Sequence, residues 1–247
     1  MQKSLLYFGI IFFLLLNSCQ KANICDCIKR NGELDSVEIE FSRIKFVEIN
    51  KMFNVYLIND TVNKAIIKTW SNLLELIDLQ VKDSTLYLHD NNICNFGRSY
   101  DNKISVYLHL TNLETLDIKG PSSIFSLDTL NFDKLLIRIS YTIADVNISI
   151  NSNHLWFEYW SATGNAIFQG NTNYFEVLSD GTGYIDALNL KSKVVKLRQI
   201  TTGDTKLNVI DALYVSFFDI GDVYYIGNPK IVEIQENKSN KQLIHIE

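Results

Sequence analysis

Alternating apolar and polar residues recur along most of the chain, and this alternation predicts β-strands. In the first such run Val37, Ile39 and Phe41 are apolar, and the residues between them are polar. Successive side chains of a strand point to opposite faces, so period-two alternation gives a strand with one apolar face. The pattern returns in residues 47–57, 66–70, 81–88 and 104–108. The sequence therefore predicts an all-β protein.

Helical signals are scarce by comparison. Val, Ile, Tyr, Phe and Thr, which favour strands, are plentiful, and Ala-rich windows are missing. We expect one short helical turn in residues 72–76. Asn72 is placed to cap its first turn, and Glu75 follows three residues later.

From about residue 113 a longer period is superimposed on the alternation. A small residue precedes a strand at successive intervals of 22, 20, 19, 20 and 18 residues. The positions are Ser122, Ala144, Gly164, Gly183, Gly203 and Gly221. A small residue is needed where a chain turns a corner, because a Cβ atom would clash there or the backbone needs a positive φ. The spacing therefore predicts one such corner in each repeat.

Each repeat has an apolar strand on either side of this corner, and we expect these side chains to form one core. The inward residues predicted before the corners are Leu116, Ile118, Leu135, Ile137, Ile139, Leu155, Phe157, Tyr159, Phe175, Val177, Val195, Leu197, Leu213, Val215 and Phe217. Those predicted after the corners are Ile124, Leu127, Val146, Ile148, Ile150, Ala166, Phe168, Ile185, Ala187, Leu190, Leu207, Val209, Val223 and Tyr225.

Asparagines supply a second ladder with the same period. Asn131, Asn151 and Asn171 are twenty residues apart, and Lys191 and Asp211 continue the count. Asn tolerates left-handed backbone conformations, and stacked Asn side chains hydrogen-bond to one another. We therefore expect these residues to occupy a corner and to pair between successive repeats.

These periods favour a β-solenoid, similar to a right-handed β-helix, with about twenty residues per coil and short β-strands before it. An antiparallel β-sandwich is the competing interpretation. The predicted organisation is a signal peptide, a polar tether, an N-terminal β region, the solenoid and a tail. Their predicted bounds are 1–18, 19–36, 37–112, 113–240 and 241–247.

The N-terminus carries the features of a bacterial export signal. Met1-Gln2-Lys3 is followed by an apolar run to Leu16, too short to span a membrane comfortably. The segment Leu16-Asn17-Ser18-Cys19 resembles a lipobox, which implies cleavage before Cys19, acylation of its thiol and anchoring in a membrane. Gln20-Lys21 follows Cys19, with no Asp at the next position. By resemblance to the known rule for retention of lipoproteins in the inner membrane, this favours the outer membrane. An ordinary signal peptide is the alternative.

Net charge and cysteine content limit the binding partners and the covalent or metal links that we expect. The net charge is -5 with scattered lysines and arginines, so we expect no nucleic acid partner. An exported protein can form disulfides, and Cys25 or Cys27 could pair with Cys94. A metal site at Cys25-Asp26-Cys27 is the alternative.

The sequence contains no arrangement typical of a catalytic site, and we expect no catalytic residue, metal or cofactor. The four histidines, His89, His109, His154 and His245, belong to no known catalytic or metal-binding motif. A calcium site formed by stacked turn carboxylates is the alternative. Its candidates are Asp180, Asp186, Asp204, Asp211, Asp219 and Asp222.

Exposed aromatic residues are the best candidates for binding. If Leu155, Phe157 and Tyr159 point inward, then Trp156 and Trp160 point outward. Tyr141 and Tyr184, on other repeats, complete the predicted face. Such aromatic surfaces bind sugars or proteins, so a glycan or an envelope protein is the expected ligand. Burial of these rings by another segment is the alternative.

Several segments resemble a known family. They are "VEINKMFNVYLIND" (47–60), "NLLELIDLQVKDSTLYL" (72–88), "ISVYLHLTNLETLDIKG" (104–120) and "IGDVYYIGNP" (220–229). Together they resemble the head GIN domain family of auto-transporter adhesins, which occurs mostly in exported proteins and lipoproteins of Gram-negative bacteria. The resemblance covers residues 37–240 and implies a β-helical domain without an assigned biochemical role. The glycine turns usual in that family are eroded in this sequence, at Gly120-Pro121-Ser122-Ser123 and at Tyr141-Thr142-Ile143-Ala144.

The sequence therefore predicts a non-enzymatic, lipid-anchored envelope protein with a binding or adhesion role. The alternative is a structural protein that self-associates, or is capped, through the ends of its solenoid. A polysaccharide-active enzyme is the third possibility, and the oligomeric state stays open.

Overall fold

The computed structural model describes residues 31–92 and 104–247, and nearly all of its ordered elements are β-strands. Before residue 112 the elements are β1 (Leu34–Glu40), β2 (Phe46–Ile49), β3 (Phe53–Asn59), β4 (Lys64–Trp70), α1 (Ser71–Leu74), β5 (Ile77–Lys82), β6 (Thr85–Asp90) and β7 (Ser105–Leu110). The others are β8 (Thr115–Ile118), β9 (Ser122–Asn131), β10 (Lys134–Ser140), β11 (Ala144–Ala162), β12 (Asn165–Gly181), β13 (Tyr184–Thr201), β14 (Thr205–Phe217), β15 (Val223–Ile226), β16 (Ile231–Asn237) and β17 (Leu243–His245).

The predictions for the signal peptide and for Cys19, Cys25, Cys27 and Cys94 fall on residues outside the described ranges. The predicted tether, 19–36, is described only from residue 31, and β1 begins within it at Leu34.

The strands wind into a β-solenoid of about seven turns with about twenty residues per coil, as predicted. Successive coils pair in parallel, and Leu135 lies beside Leu155 while Phe175 lies beside Val195. The coils therefore do not form the facing antiparallel hairpins of a sandwich. Parallel pairing begins before residue 113, because β2 pairs with β8 and β3 pairs with β9.

Each coil has two straight segments, and stacking of these segments gives the solenoid two faces. The first face consists of β6, β2, β8, β10, residues 154–160, 174–181, 194–201 and 212–217, and β16. The second face consists of β7, β3, β9, residues 144–151, 165–171, 184–191 and 205–209, β15 and β17. The first corner leads from the first face to the second, and the second corner leads back.

The core lies between the two faces and contains almost every side chain predicted to point inward. Four rings pack edge to face along its centre, with neighbouring ring centroids 4.8, 5.0 and 5.4 Å apart. They belong to Tyr159, Phe157, Phe168 and Phe175. Apolar burial of this kind supplies most of the stabilisation of a domain, and a single coil has no core of its own.

Leu127 is an exception: the prediction that it points inward is wrong. It is 57% exposed, and Leu130 lies in the core instead. The physical reason is strand alternation: Ile124 and Leu130 are six residues apart and both point inward, while Leu127 lies at an odd offset from both. A bulge in β9, where Phe125 pairs with Asn147 but Thr129 pairs with Ser149, adds two residues and so preserves this parity.

The predicted small residues line the first corner, and both expected reasons for their size occur. Gly164 has a φ of +129°, and a Cβ atom there would lie 2.0 Å from the carbonyl oxygen of Ala144 in the preceding coil. Gly203 has no positive φ, but its Cβ would lie 2.1 Å from the carbonyl oxygen of Gly183. Close approach of successive coils therefore requires a small residue at this corner.

The asparagine ladder is confirmed over three coils. Asn151 Nδ2 donates to Asn131 Oδ1 at 3.2 Å, and Asn171 Nδ2 donates to Asn151 Oδ1 at 3.0 Å. The predicted left-handed backbone is wrong, because none of the three has a positive φ. The continuation to Asp211 is also wrong, because a register shift pairs Lys191 with Asn208.

The short helix is present, but its predicted cap is wrong. Helix α1 begins at Ser71, and Trp70 occupies the cap position without a side-chain hydrogen bond. Asn72 is one residue inside the helix, and its backbone N–H donates to the carbonyl of Asn31 at 3.2 Å. The N–H of Ser71 likewise donates to the carbonyl of Glu33 at 2.8 Å, so backbone carbonyls take the place of a side-chain cap.

The two ends of the solenoid differ. At the N-terminal end, β1 and β4 continue the second face as antiparallel strands, and β5 does the same on the first face. At the C-terminal end, β16 and β17 each have one partner strand among the described residues. All seven residues of β16 are exposed.

Candidate functional site

A groove of about 260 Å³ crosses the first face from β11 to β16. It passes over four strand spacings, which amounts to about 19 Å. Its lining consists of Trp156, Glu158, Glu176, Val177, Leu178, Lys196, Leu197, Arg198, Ser216 and Gln235. We refer to these residues as the Trp156 groove. One aromatic ring, charges of both signs and uncharged polar groups thus share one concave surface.

Trp156 is held in place by its neighbours on the outside of the first face. Its ring stacks on that of His154, with centroids 3.5 Å apart and planes inclined by 10°. His154 lies two residues earlier on β11, and its Nε2 is 2.8 Å from Glu176 Oε1 on the next coil. Trp156 points outward as predicted but is only half-exposed, because His154 covers one side of the indole.

Glu158 is also fixed by partners. Its Oε2 accepts a hydrogen bond from Arg138 Nε at 2.8 Å and another from Trp160 Nε1 at 2.9 Å. Oε1 accepts none from the described part of the chain. Trp160 points outward as predicted and is 41% exposed. Trp160 is absent from the groove lining, and its contact with this region runs through the Glu158 carboxylate.

Two cations of β13 line the other side of the groove. Lys196 pairs in register with Glu176, and Arg198 pairs in register with Leu178. The Arg198 guanidinium lies 5.3 Å from the centroid of the Phe218 ring. No carboxylate in the described ranges forms a salt bridge with either cation.

The two predicted tyrosines lie outside the groove. Tyr141 is in the first corner, where its φ is +54° and its N–H donates to the carbonyl oxygen of Trp160 at 2.9 Å. Tyr184 is the first residue of β13 and lies on the second face. The structure therefore places Tyr141 beside Trp160, with Trp156 four residues earlier on β11, and it places Tyr184 round the corner.

Sequence reasoning missed Glu176, Lys196 and Arg198 as groove residues, and it missed His154 as the residue that stacks on Trp156. The signal was the twenty-residue period itself, applied to outward positions. Counting forward from Leu136 gives Trp156, Glu176 and Lys196, and counting from Arg138 gives Glu158, Leu178 and Arg198. Each series is a column of neighbours on the first face.

Four of the six candidate turn carboxylates, Asp186, Asp204, Asp219 and Asp222, accept hydrogen bonds within the protein. The N–H of Asp222 donates to Asp204 Oδ1 at 3.0 Å, and Lys241 Nζ lies 2.6 Å from Asp222 Oδ1. Within residues 31–92 and 104–247, no group of three or more His, Cys, Asp or Glu side chains could hold a metal ion. Over the same ranges, no helix is both long and apolar enough to cross a membrane.

The fold has close counterparts among solved structures. A protein from Bacteroides fragilis, described as a putative adhesin, superposes with a TM-score of 0.80 at 21% identity, covering 88% of this chain and 100% of that one. A protein from Parabacteroides distasonis, described as a putative lipid binding protein, gives a TM-score of 0.61 at 16% identity over 89% and 100%. A putative adhesin from Parabacteroides merdae gives 0.59 at 14% identity over 89% and 99%.

At these identities the likeness concerns the fold alone. No match was found among curated proteins. The family model described as "Putative auto-transporter adhesin, head GIN domain" matches residues 40–229, which is more than half of the chain. This chain therefore belongs to the head GIN domain family.

Proposed function

We propose that this protein is a non-enzymatic binding module of the cell envelope and that the Trp156 groove binds a glycan. The observation that carries the proposal is the indole of Trp156, which His154 holds at the wall of a groove that also contains hydrogen-bonding groups. Membership of an adhesin family suggests a protein of the envelope or cell surface.

The chemistry of the groove suits a sugar chain. Aromatic rings stack against the apolar faces of sugar rings, and polar groups beside the ring bind the hydroxyls. Glu158 Oε1 accepts hydrogen bonds, and Ser216 and Gln235 both donate and accept them. The lining residues belong to strands from β11 to β16, so a ligand in the groove can extend over several coils.

Glycan binding is tested with an array of oligosaccharides, followed by calorimetry on the hits. We expect Trp156→Ala to weaken binding by about 30-fold, because truncating a central contact residue typically costs about 2 kcal/mol of binding free energy. Tyr184→Ala removes an exposed aromatic ring on the second face and should leave the affinity unchanged. Absence of any glycan hit, or equal loss in both variants, overturns the proposal. If the wild type captures an envelope protein and Trp156→Ala does not, the ligand of the groove is a protein and the glycan proposal is wrong.

The non-enzymatic role has its own test. Glu158 is bound by Arg138, and Glu176 contacts His154. We therefore expect both carboxylates to hold a ligand in place and not to react with it. A glycosidase would use such a pair as acid and base or nucleophile. We expect a bound oligosaccharide to be recovered intact after long incubation. Release of new reducing ends that Glu158→Gln abolishes would make the protein an enzyme.

We also propose anchoring in the outer membrane through acylated Cys19. The support is the lipobox-like segment Leu16-Asn17-Ser18-Cys19. Labelling of cells with an alkyne fatty acid should tag the wild type and Cys25→Ser but not Cys19→Ser. Tagged protein should fractionate with the outer membrane. Label on Cys19→Ser would contradict lipidation at Cys19, and recovery with the inner membrane would contradict the location.

The C-terminal end of the solenoid favours a second candidate function, self-association. Val232 and Ile234 continue the inward columns of Leu213 and Val215, yet they are 44% and 40% exposed. Terminal strands with a free edge pair readily with other strands. Light scattering over a range of concentrations should reveal a dimer in the wild type and a monomer in Val232→Lys/Ile234→Lys. A wild type that stays monomeric throughout rules this candidate out.

A further inference from the structure

We propose that the glycan bound in the Trp156 groove is acidic, and that Lys196 and Arg198 bind its carboxylates. This rests on the proposed function of the groove and specifies its ligand class. The argument depends on which charges of the groove already have partners within the protein.

The acidic residues of the groove have partners. Glu158 accepts hydrogen bonds from Arg138 and Trp160 at 2.8 and 2.9 Å. Glu176 lies directly opposite Lys196 on the neighbouring strand, but its Oε1 contacts His154 Nε2 at 2.8 Å. Neither carboxylate forms a salt bridge with the cations of β13 in the described structure. Both acids are therefore committed to contacts that orient Trp156 or the residues beside it.

The two cations have no such commitment. Lys196 and Arg198 are both exposed, and neither forms an ion pair with a described residue. Within the described part of the chain, the Arg198 guanidinium lies over the Phe218 ring, 5.3 Å from its centroid, and this contact leaves the in-plane N–H groups available. Because the guanidinium forms paired hydrogen bonds with carboxylates, this arrangement matches a carboxylate-bearing ligand.

The positions of the cations relative to Trp156 match a sugar chain. Trp156, Glu176 and Lys196 are register neighbours on three successive coils, so Trp156 and Lys196 are about 10 Å apart along the stacking axis. Arg198 is two residues further along β13 and lines the same groove. A sugar stacked on the indole therefore places the next units of its chain beside both cations.

The test uses matched pairs of ligands. Each uronic-acid oligosaccharide in a binding panel is compared with its carboxyl-reduced, neutral counterpart of the same linkage. We expect the acidic member to bind at least tenfold more tightly at low salt, with the difference shrinking as salt is raised. Lys196→Gln/Arg198→Gln should lose about tenfold in affinity for the acidic member and little for the neutral one. Lys193→Gln removes an exposed charge of the same strand outside the groove and should change neither.

The outcomes separate this inference from the function on which it rests. Equal binding of both members, lost in Trp156→Ala but not in Lys196→Gln/Arg198→Gln, leaves a glycan-binding groove and overturns the acidic ligand. Stronger binding of the acidic member that Lys193→Gln reduces equally would reflect general charge attraction and also overturns it. Binding of neither member in any pair contradicts the proposed function itself.

Discussion

The rings of His154 and Trp156 lie face to face with their centroids 3.5 Å apart, and one residue, Leu155, separates them along β11. In most strands such neighbours stand side by side on the same face. Here the contact of His154 Nε2 with Glu176, at 2.8 Å, holds the imidazole against the indole. Three residues on two coils thus fix the orientation of the ring in the proposed site.

Removing this support should weaken ligand binding without unfolding the protein. We expect His154→Ala to lower glycan affinity by about fivefold, in line with the 0.5–1.5 kcal/mol of an aromatic pair. Calorimetric titration measures the loss, and circular dichroism checks the fold. His89→Ala serves as the control, because His89 stacks on Tyr87 elsewhere on the first face, at 5.9 Å. Unchanged affinity in His154→Ala would show that the indole needs no support.

The asparagine ladder offers a test of coil-to-coil contacts. Asn151 lies at its centre, donating to Asn131 and accepting from Asn171. Replacement by Ala removes both hydrogen bonds, and we expect the free energy of unfolding to fall by about 1 kcal/mol. Urea denaturation measures it. Lys191→Ala changes the residue that follows Asn171 in the same column, where the ladder of Asn side chains has ended. It should have a smaller effect. Equal effects would mean that the ladder adds no stability.

The ladder also shows which parts of the fold the sequence could reveal. A twenty-residue period identifies the columns that run through successive coils, so the small corner residues and most inward side chains followed from counting. The count fails wherever a coil gains or loses residues, as between Phe125 and Thr129 in β9 and between Lys191 and Asn208. Such bulges depend on contacts with neighbouring coils, and a single strand carries no record of them.

The candidate site was predictable only in part. Alternation placed Trp156 and Trp160 outside correctly, because their neighbours Phe157 and Tyr159 are buried. Alternation alone does not show which outward residues share a face, so Tyr184 was grouped with residues that lie round a corner. The contacts of Glu158 and Glu176 depend on side-chain conformations, which the period does not determine.

Gly203, at the first corner, should tolerate no added Cβ. At Gly203 a methyl group would lie 2.1 Å from the carbonyl oxygen of Gly183, so the coils must separate. We expect Gly203→Ala to lower the free energy of unfolding by about 2 kcal/mol, comparable to overpacking elsewhere. Thr202→Ala alters the neighbouring exposed residue and should be nearly neutral. Thermal unfolding followed by circular dichroism compares the two, and a neutral Gly203→Ala would show that this corner can adapt.

The hydrogen bond between His109 and Asp60 predicts a dependence of stability on pH. His109 Nδ1 lies 2.7 Å from Asp60 Oδ2, and this bond, with that from the N–H of Thr61, holds the pKa of Asp60 below its ordinary value of 3.8. A carboxylate with a lowered pKa stabilises the folded state above its unfolded pKa, and this contribution is lost as the pH falls through the folded pKa.

We therefore expect Asp60→Asn to be less stable than the wild type at pH 6 and to approach it below about pH 4. Denaturant titrations at a series of pH values measure the difference. Asp83→Asn, in the turn between β5 and β6, is the control: it shows how stability changes with pH when the replaced carboxylate has no histidine partner. A difference that stays constant from pH 6 to pH 2 would contradict the assigned role of Asp60.

One buried group should be replaceable with a gain in stability. The Tyr159 hydroxyl is buried in the core without a hydrogen-bond partner in the described structure, and so is the Oγ of Ser179 on the next coil. Burial, with a smaller contribution from the Asp145 carboxylate, raises the pKa of Tyr159 above its ordinary value, so the hydroxyl stays protonated. A buried polar group without a partner costs free energy that an apolar group of the same shape does not.

Tyr159→Phe keeps the ring contacts with Phe157 and removes only this hydroxyl. We expect its free energy of unfolding to rise by about 1 kcal/mol, measured by urea denaturation. Tyr184→Phe makes the same change at an exposed position and should have no effect. A loss of stability in Tyr159→Phe would mean that a bound water joins the hydroxyl to Ser179. In that case Ser179→Ala should cause a similar loss, and the double variant should lose little more than either single one, since both remove the same water-mediated contact.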